Sequence, residues 1–311
     1  MRVFLAGGAG VIGRRLVPQL VARGHQVTAT TTSAAKLALV TQLGAEGVVM
    51  DGLDAMSVGE AVARAIPDVI VHQMTALSAA HAGRPNLRNP DRFFATTLRL
   101  RTEGTDHLLA AAEAAGVPHI VAQSFAQSFA QSFTGGQVLT EEDRPDLGAG
   151  AMMQRLAQGV LHVEDAVVKA GGAALRYGAF YGPGATDDQV GLVRKRKFPL
   201  VGCGAGYFSW VHLDDAASAT VLALEQKAMG VFNIVDDEPA PVGEWLPYLA
   251  ACAGAKPPMR VPEWLARLLA GEFAVKLMTE GCGFSNAKAK RELGWQLRYP
   301  CWRQGFREEL A

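Results

Sequence analysis

The chain opens on RVFLAGGAGVIGRRLVPQLVARG, residues 2 to 24, and nothing else in its 311 residues restricts the fold as tightly. Four apolar residues, Val3 to Ala6, run into a glycine-rich turn, which runs directly into an amphipathic stretch of helical period. Gly7, Gly10 and Gly13 stand in GxxGxxG spacing. In such a turn the first glycine permits the sharp change of direction. The second lets backbone N–H groups approach a pyrophosphate, and the third lets helix and strand pack closely. Val11 and Ile12 lie at the helix N-terminus, whose dipole favours an anion. Strand, turn and helix in this order point to a dinucleotide-binding unit; the bland alternative is a structural glycine turn.

The rhythm set there continues. Short β-branched runs at 2–6, 26–30, 47–50, 69–72, 119–122 and 173–176 alternate with Ala/Leu-rich amphipathic stretches starting near Gly10, Ser33, Ser57, Asp91 and Ala151. That alternation predicts an α/β fold with a doubly wound parallel Rossmann sheet. After Tyr181-Gly182-Pro183-Gly184 glycine and proline become frequent and the alternation lapses. The reading is a dinucleotide-binding domain over 1–180 and a smaller α+β substrate lobe over 181–311, with segments near 208–235 returning to complete the sheet. The lobe would pack over the strand ends, where ligands of such sheets bind.

Composition removes several functions. Lysine plus arginine and aspartate plus glutamate number 30 each, and no run of five like charges occurs, which removes the electrostatic case for nucleic acid or an anionic membrane. RKRK at 194–197 reads as a solvated helix end rather than a phosphate site. The N-terminal apolar run is cut by glycines too early for a secretion signal, and no segment approaches the roughly 20 apolar residues that span a bilayer. Cys203, Cys252, Cys282 and Cys301 form no CxxC pair, so neither a metal site nor a disulfide framework is expected, and a reducing, cytoplasmic setting fits.

The end of the second strand chooses between nicotinamide cofactors, because an acidic residue there holds a ribose 2′-hydroxyl and repels a 2′-phosphate. TATTTSAAK, residues 28 to 36, has no acid. Thr31, Thr32 and Ser33 offer hydroxyls and Lys36 a positive charge, so NADP(H) is favoured over NAD(H), although no arginine is present. Asp51, followed by Gly52 and Leu53, stands where a carboxylate accepts from an adenine amino group and an apolar side chain packs on the ring. Gln73, Met74 and Thr75 end the fourth strand, where backbone passes close to ribose and phosphate. QSFAQSFAQSF, residues 123 to 133, is a tandem repeat. It reads as an expanded loop or as a lid, since a period of four stacks Phe125, Phe129 and Phe133 on one helical face.

These residues together resemble the short-chain dehydrogenase/reductase superfamily, in its extended and atypical branch of nucleoside-sugar epimerases and dehydratases. GGAGVIG is similar to the family's cofactor loop, MDGLD to its adenine turn and EGTDHLLAAAEAAGV to its long fourth helix. LRYGAFYGPG is similar to its sixth strand and junction, and VHLDDAA and SNAKAKRELGW to its C-terminal landmarks. The resemblance implies that Tyr177, Gly178, Ala179 and Phe180 line the cofactor and that Ser124 is the active-site hydroxyl, with Ser128 and Ser132 as rivals. It also implies a homodimer through the fourth and fifth helices.

The departures carry as much information. In the family a tyrosine serves as general acid/base, and a lysine four residues later lowers its pKa and holds the nicotinamide ribose. Setting Glu164 in register with the glutamate that follows that lysine puts Leu156 and Val160 at the two positions. None of the five tyrosines has a lysine four residues on; Tyr299 with Arg303 comes nearest. Where the fourth helix often has asparagine before Gly-Thr, this chain has Arg101. GAGYFSWVHLDD lacks the arginine that clamps a diphosphate in sugar-nucleotide enzymes.

Substitute donors are Tyr181 and Glu164, each weighed against a structural role: Tyr181 in the junction, Glu164 in helix-surface pairing. His162 points away from Val160, His212 is expected to order the lobe, and His72 to be buried. Gln123 and Ser124 orient an acceptor without proton transfer. Phe125, Phe180, Phe208, Trp210 and Trp245 are available to line an apolar pocket. The leading expectation is an NADP(H)-dependent oxidoreductase of atypical mechanism acting on a small, largely apolar carbonyl or imine-like substrate. An epimerase, dehydratase or lyase with transient redox is a second reading, and a non-catalytic NADP(H) sensor a third.

Overall fold

A computed structural model describes residues 1–77, 90–129, 136–143 and 151–310. From the N-terminus, β1 (Arg2–Ala6) leads through the glycine turn into α1 (Gly13–Ala22), followed by β2 (Gln26–Thr31), α2 (Leu37–Gln42), β3 (Glu46–Val49), α3 (Ala55–Ala65) and β4 (Val69–His72). Next come α4 (Pro90–Arg101), α5 (Glu103–Ala114), β5 (Ile120–Phe125), β6 (Val138–Leu139), α6 (Ala151–Lys169), β7 (Ala173–Tyr177) and β8 (Ala179–Tyr181). Beyond the Gly-Pro junction the chain forms α7 (Asp187–Arg194), β9 (Leu200–Val201), β10 (Tyr207–Phe208), β11 (Trp210–His212), α8 (Leu213–Glu225) and β12 (Gly230–Ile234). It ends with β13 (Ala240–Pro241), α9 (Val242–Cys252), β14 (Arg260–Val261), α10 (Glu263–Ala270), α11 (Glu272–Thr279), β15 (Gly283–Phe284), α12 (Ala287–Leu293) and α13 (Trp302–Leu310).

Seven strands make one parallel sheet in the order β3-β2-β1-β4-β5-β7-β12. β12 lies beyond the junction, so the sheet draws an edge strand from the C-terminal part of the chain. Alternation along β1 shows why both faces need cover: Val3 and Leu5 join the cluster under α1 and α8, while Phe4 and Ala6 join the cluster under α3, α5 and α6. A third cluster, rich in aromatic rings, gathers Tyr181, Trp210, Trp245, Trp302 and Phe306 from the C-terminal elements.

Element boundaries shift where neighbours override local preference. Gln123, Ser124 and Phe125, expected to leave the fifth strand, remain in it because Leu175, Arg176 and Tyr177 of β7 stand opposite them in register. A partner strand satisfies the backbone of residues whose own strand preference is weak. The first helix starts at Gly13 rather than near Gly10, since the turn occupies the intervening residues. RKRK runs off the C-terminal end of α7 with all four side chains exposed. No helix among the described residues is long and apolar enough to cross a membrane.

Candidate active site at the carboxyl ends of the strands

Strand order reverses between β1 and β4, and the chain segments leaving these two strands meet there. Gly7 has φ +100°, and a Cβ on it would lie 2.8 Å from the Gln73 carbonyl oxygen. A Cβ on Gly13 would lie 2.5 Å from the Gly8 carbonyl oxygen. The turn is therefore closed to side chains at both positions, and backbone stands where bulkier residues would block a ligand. α1 begins with no side-chain cap and no acidic residue in its first turn. These features fit a dinucleotide pyrophosphate, with Gly10, Val11 and Ile12 between the two closed glycines.

Around this turn the structure places the other expected cofactor residues. Thr31 is buried, and its Oγ1 accepts from the Ser33 backbone N–H at 3.2 Å. Thr32 is exposed, and Ser33 and Lys36 are half-buried. Asp51 Oδ1 accepts from the Leu53 N–H at 2.9 Å, holding the turn, while Gly52 leaves room for the Met74 thioether, 2.5 Å from where its Cβ would be. Thr75 is half-buried beyond β4. Gln73 donates to the Tyr177 hydroxyl at 3.0 Å, and that hydroxyl also bonds Thr220 at 2.6 Å. Burial pushes Tyr177 up to about 12. Its hydroxyl is thus engaged inside the sheet. Gly178 packs on the Ser209 carbonyl, Ala179 opens β8, and Phe180 lies against Tyr177 with ring centroids 5.2 Å apart.

Below this edge lies a buried charged cluster. Ser124 donates to Glu164 Oε1 at 2.6 Å. Arg176 donates from Nε to the same oxygen and from Nη2 to Oε2, both at 2.8 Å. The Arg176 and Glu164 side chains are only 5% and 3% exposed. Glu164 therefore does not sit on the helix surface; it projects from the covered face of α6 between two strands. A bidentate pair of this kind has fixed geometry, and it commits the one Ser124 proton to the carboxylate. Ser124 can then offer a ligand only lone pairs. Gln123 is similarly engaged, donating to the Met74 carbonyl at 3.1 Å.

Arg101, at the end of α4, is also buried, and its Nε has no partner among the described residues. Burial lowers it to about 10, with Glu164 the nearby charge that opposes the shift. It lies along α6 at Gly159, where a Cβ would come within 4 Å of its Cδ and Cβ. Leu156 and Val160 flank that glycine and are buried. His72 completes the seam: Nδ1 accepts from the Met74 N–H, and Nε2 faces Thr105 Oγ1, whose proton goes to the Arg101 carbonyl. The imidazole is a neutral Nε2–H tautomer, and burial lowers its pKa to about 4.

Tyr181, expected as a donor, is elsewhere. It has no exposed surface, and it packs on Trp210, His212 and Phe306 in the aromatic cluster. A Cβ on Gly305 would overlap its ring, and burial raises its pKa far above the ordinary phenol value. It does not join Ser124 and Glu164. His212 caps α8 by accepting from the Asp214 N–H, and His162 pairs with Asp106 on the outside of α6. Trp210 and Trp245 are core residues at 4.9 Å between ring centroids, with Phe208 stacked on Trp210. After Phe125 the chain turns into a short 3-10 segment, Ala126–Phe129, in which Ser128 is buried; Ser132 and Phe133 lie outside the described residues. Sequence reasoning missed Arg176. The signal was an arginine inside the apolar run AALRY, matched by a glutamate on the apolar face of the preceding helix.

Fold and site together define an oxidoreductase built on a Rossmann sheet, with a dinucleotide turn at the strand switch point. The chain belongs to the NAD-dependent epimerase/dehydratase family, whose model matches residues 3–235. It is 42% identical over 99% of its length, and 100% of the relative's, to a 3-diazoavenalumate denitrifying reductase from a Streptomyces species. It is 29% identical to a 2-alkyl-3-oxoalkanoate reductase from Stenotrophomonas maltophilia, over 82% of this chain and 76% of that one. The fold is similar to that of a human epimerase family protein solved with NADPH, at TM-score 0.75 and 21% identity, over 100% of this chain and 99% of that one. Of the three functional readings, the comparisons support an NAD(P)-dependent oxidoreductase.

Proposed function

We propose that this protein is an NADPH-dependent reductase that passes hydride to a small, largely apolar acceptor requiring no proton from the enzyme, namely an aryl diazo group in its diazonium form. The observation that carries the proposal is the engaged proton of Ser124, held 2.6 Å from Glu164. In this reading Leu156 and Val160 take the places of the family's tyrosine and lysine, so α6 offers hydrocarbon where a ketone reductase offers an acid. Reducing a ketone leaves an alkoxide that must be protonated. An aryl diazonium differs: the carbon–nitrogen bond breaks with its electron pair leaving on dinitrogen, hydride supplies the pair of the new carbon–hydrogen bond, and no proton is taken up.

A bound nicotinamide dinucleotide supplies the hydride. The chain's residues do the rest. The glycine turn holds the pyrophosphate, Asp51 and Leu53 receive the adenine, and Thr32, Ser33 and Lys36 receive a 2′-phosphate, which favours NADP(H) over NAD(H). Ser124 turns its lone pairs toward the positive nitrogen terminus, with Glu164 and Arg176 fixing its orientation. The similarity of this chain over its whole length to a reductase named for a diazo substrate supports the acceptor class. A carbonyl or imine-like acceptor is the second reading, favoured by the oxoalkanoate relative; water would then provide the proton. We also carry forward a homodimer, which sedimentation velocity tests.

The test pairs 4-hydroxybenzenediazonium with 4-hydroxyacetophenone. The expected result is enzyme-dependent loss of NADPH with the diazonium, one phenol and one dinitrogen per NADPH, and deuterium entering the ring from labelled NADPH but not from D2O. Consumption of the ketone with an inert diazonium would overturn the acceptor class. Lys36→Ala should weaken NADPH about tenfold, roughly 1.4 kcal/mol, and leave NADH unchanged.

A further inference from the structure

Arg101 is the one residue of the buried cluster that neither the fold nor the proposed chemistry uses. The residue is buried, with only 6% of its surface exposed. The two Glu164 oxygens are occupied by Ser124 and Arg176. Among the described residues no hydrogen bond or ion pair reaches the Arg101 guanidinium, and its Nε is buried without a partner. A cation taken out of water without a counter-ion is costly, and apolar residues of the same volume often serve stability better. The Arg101 guanidinium therefore remains open to an anionic ligand.

Position narrows the choice of anion. The dinucleotide's phosphates have their own receptors at the glycine turn and beyond β2. Arg101 instead packs its Cβ and Cδ against Gly159 of α6, the residue next in sequence to Val160 and three after Leu156. In the proposed function that face of α6 borders the acceptor, not the phosphates. A planar fork of donors suits a carboxylate held by two parallel bonds.

We propose that Arg101 is the receptor for a carboxylate on the substrate, so that the protein takes acceptors bearing an acid and discriminates against their neutral counterparts. The inference rests on the reading that this cluster faces the acceptor, and it adds the substrate's charge to that reading. Ser124 and Arg101 then address two ends of one molecule: lone pairs toward the electron-poor nitrogen, and a guanidinium toward the acid.

The test is a binding experiment on the NADPH-loaded protein, with trans-cinnamate and the isosteric neutral cinnamamide as probes. Calorimetry should show the acid binding at least tenfold more tightly than the amide. Arg101→Met should erase that preference while NADPH affinity stays within threefold, and the ligand-free variant should melt no lower than the parent. Arg101→Lys, which keeps the charge without the fork, should give a preference between the two and serves if the methionine variant does not fold. A parent that does not prefer the acid, a preference that survives either substitution undiminished, or a loss confined to NADPH affinity would overturn the proposal. Turnover is not measured in these arms. Acid preference lost with Arg101, in a protein that ignores the diazonium, upholds the carboxylate receptor and removes only the acceptor reading.

Discussion

The glycine turn and the charged cluster lie at the same edge of the sheet and are built on opposite principles. The turn does its work with backbone, and the identity of its glycines is dictated by space: a Cβ on Gly13 would sit 2.5 Å from a carbonyl oxygen, whereas Val11 beside it is 41% exposed. The cluster does its work with side chains, Ser124 and Arg176 converging on the Glu164 carboxylate. One region is preorganised by what is absent, the other by mutual compensation. They should therefore fail differently, the turn losing ligand and the cluster losing the fold.

The largest effect is expected at Glu164. Glu164→Gln leaves Arg176 facing a neutral amide, and removing one member of a buried pair typically costs roughly 3–5 kcal/mol. Urea unfolding should show that loss with an unchanged m-value. A destabilisation under about 1 kcal/mol, typical of an exposed pair, would break the contrast between the two regions. The exposed Arg99–Glu103 pair, 56% and 44% exposed, provides that comparison within the same molecule.

His72 joins the two regions, accepting from the Met74 N–H on one side and bonding Thr105 on the other. Its native pKa of about 4 lies below the ordinary 6.5. Between these values the unfolded chain binds a proton that the native state refuses, so stability is full above about pH 6.5 and falls as pH drops toward 4. The shift corresponds to a contribution of up to about 3 kcal/mol, of which about 2 should be gone by pH 5. In His72→Gln the stability difference between pH 7 and pH 5 should shrink by that amount. An equal pH slope in parent and variant would place the acid sensitivity elsewhere.

The same contrast explains how much could be read beforehand. The glycine turn and the parallel strands were legible because they are local: glycine spacing and β-branched runs state their requirement within a few residues. The cluster was not, because its members come from α4, α6, β5 and β7, and pairing across strands is a property of the fold. Glu164 on its own reads as a surface helix residue; only the register that sets Ser124 opposite Arg176 shows what it neutralises. Tyr181 failed as a donor for a related reason. Its neighbours in sequence suggest the cofactor edge, but its ring is enclosed by residues of β11 and α13, far along the chain.

At the turn, Gly13→Ala should lower affinity for NADPH by about a hundredfold, roughly 2.7 kcal/mol, because the new Cβ forces the turn away from the helix end it presents to the pyrophosphate. Fluorescence titration measures it, with circular dichroism to confirm that the sheet persists. Retained affinity would mean that the turn relaxes without cost, and the claim that space dictates its glycines would fail.

The smallest effect serves as the control that gives the others meaning. Gly59 sits within α3, and a Cβ added there meets nothing within 4 Å. Unlike Gly13 it is not closed in by neighbouring backbone, so the structure assigns it no role that another residue could not fill. Gly59→Ala should raise stability by about 0.5–1 kcal/mol, the ordinary gain from restricting the unfolded chain and improving helix preference, and should leave NADPH binding untouched. Thermal melts and the same titration suffice. If Gly59→Ala weakened the cofactor as Gly13→Ala is expected to, the loss at Gly13 would report general strain in the sheet's covering helices rather than a turn shaped around a ligand.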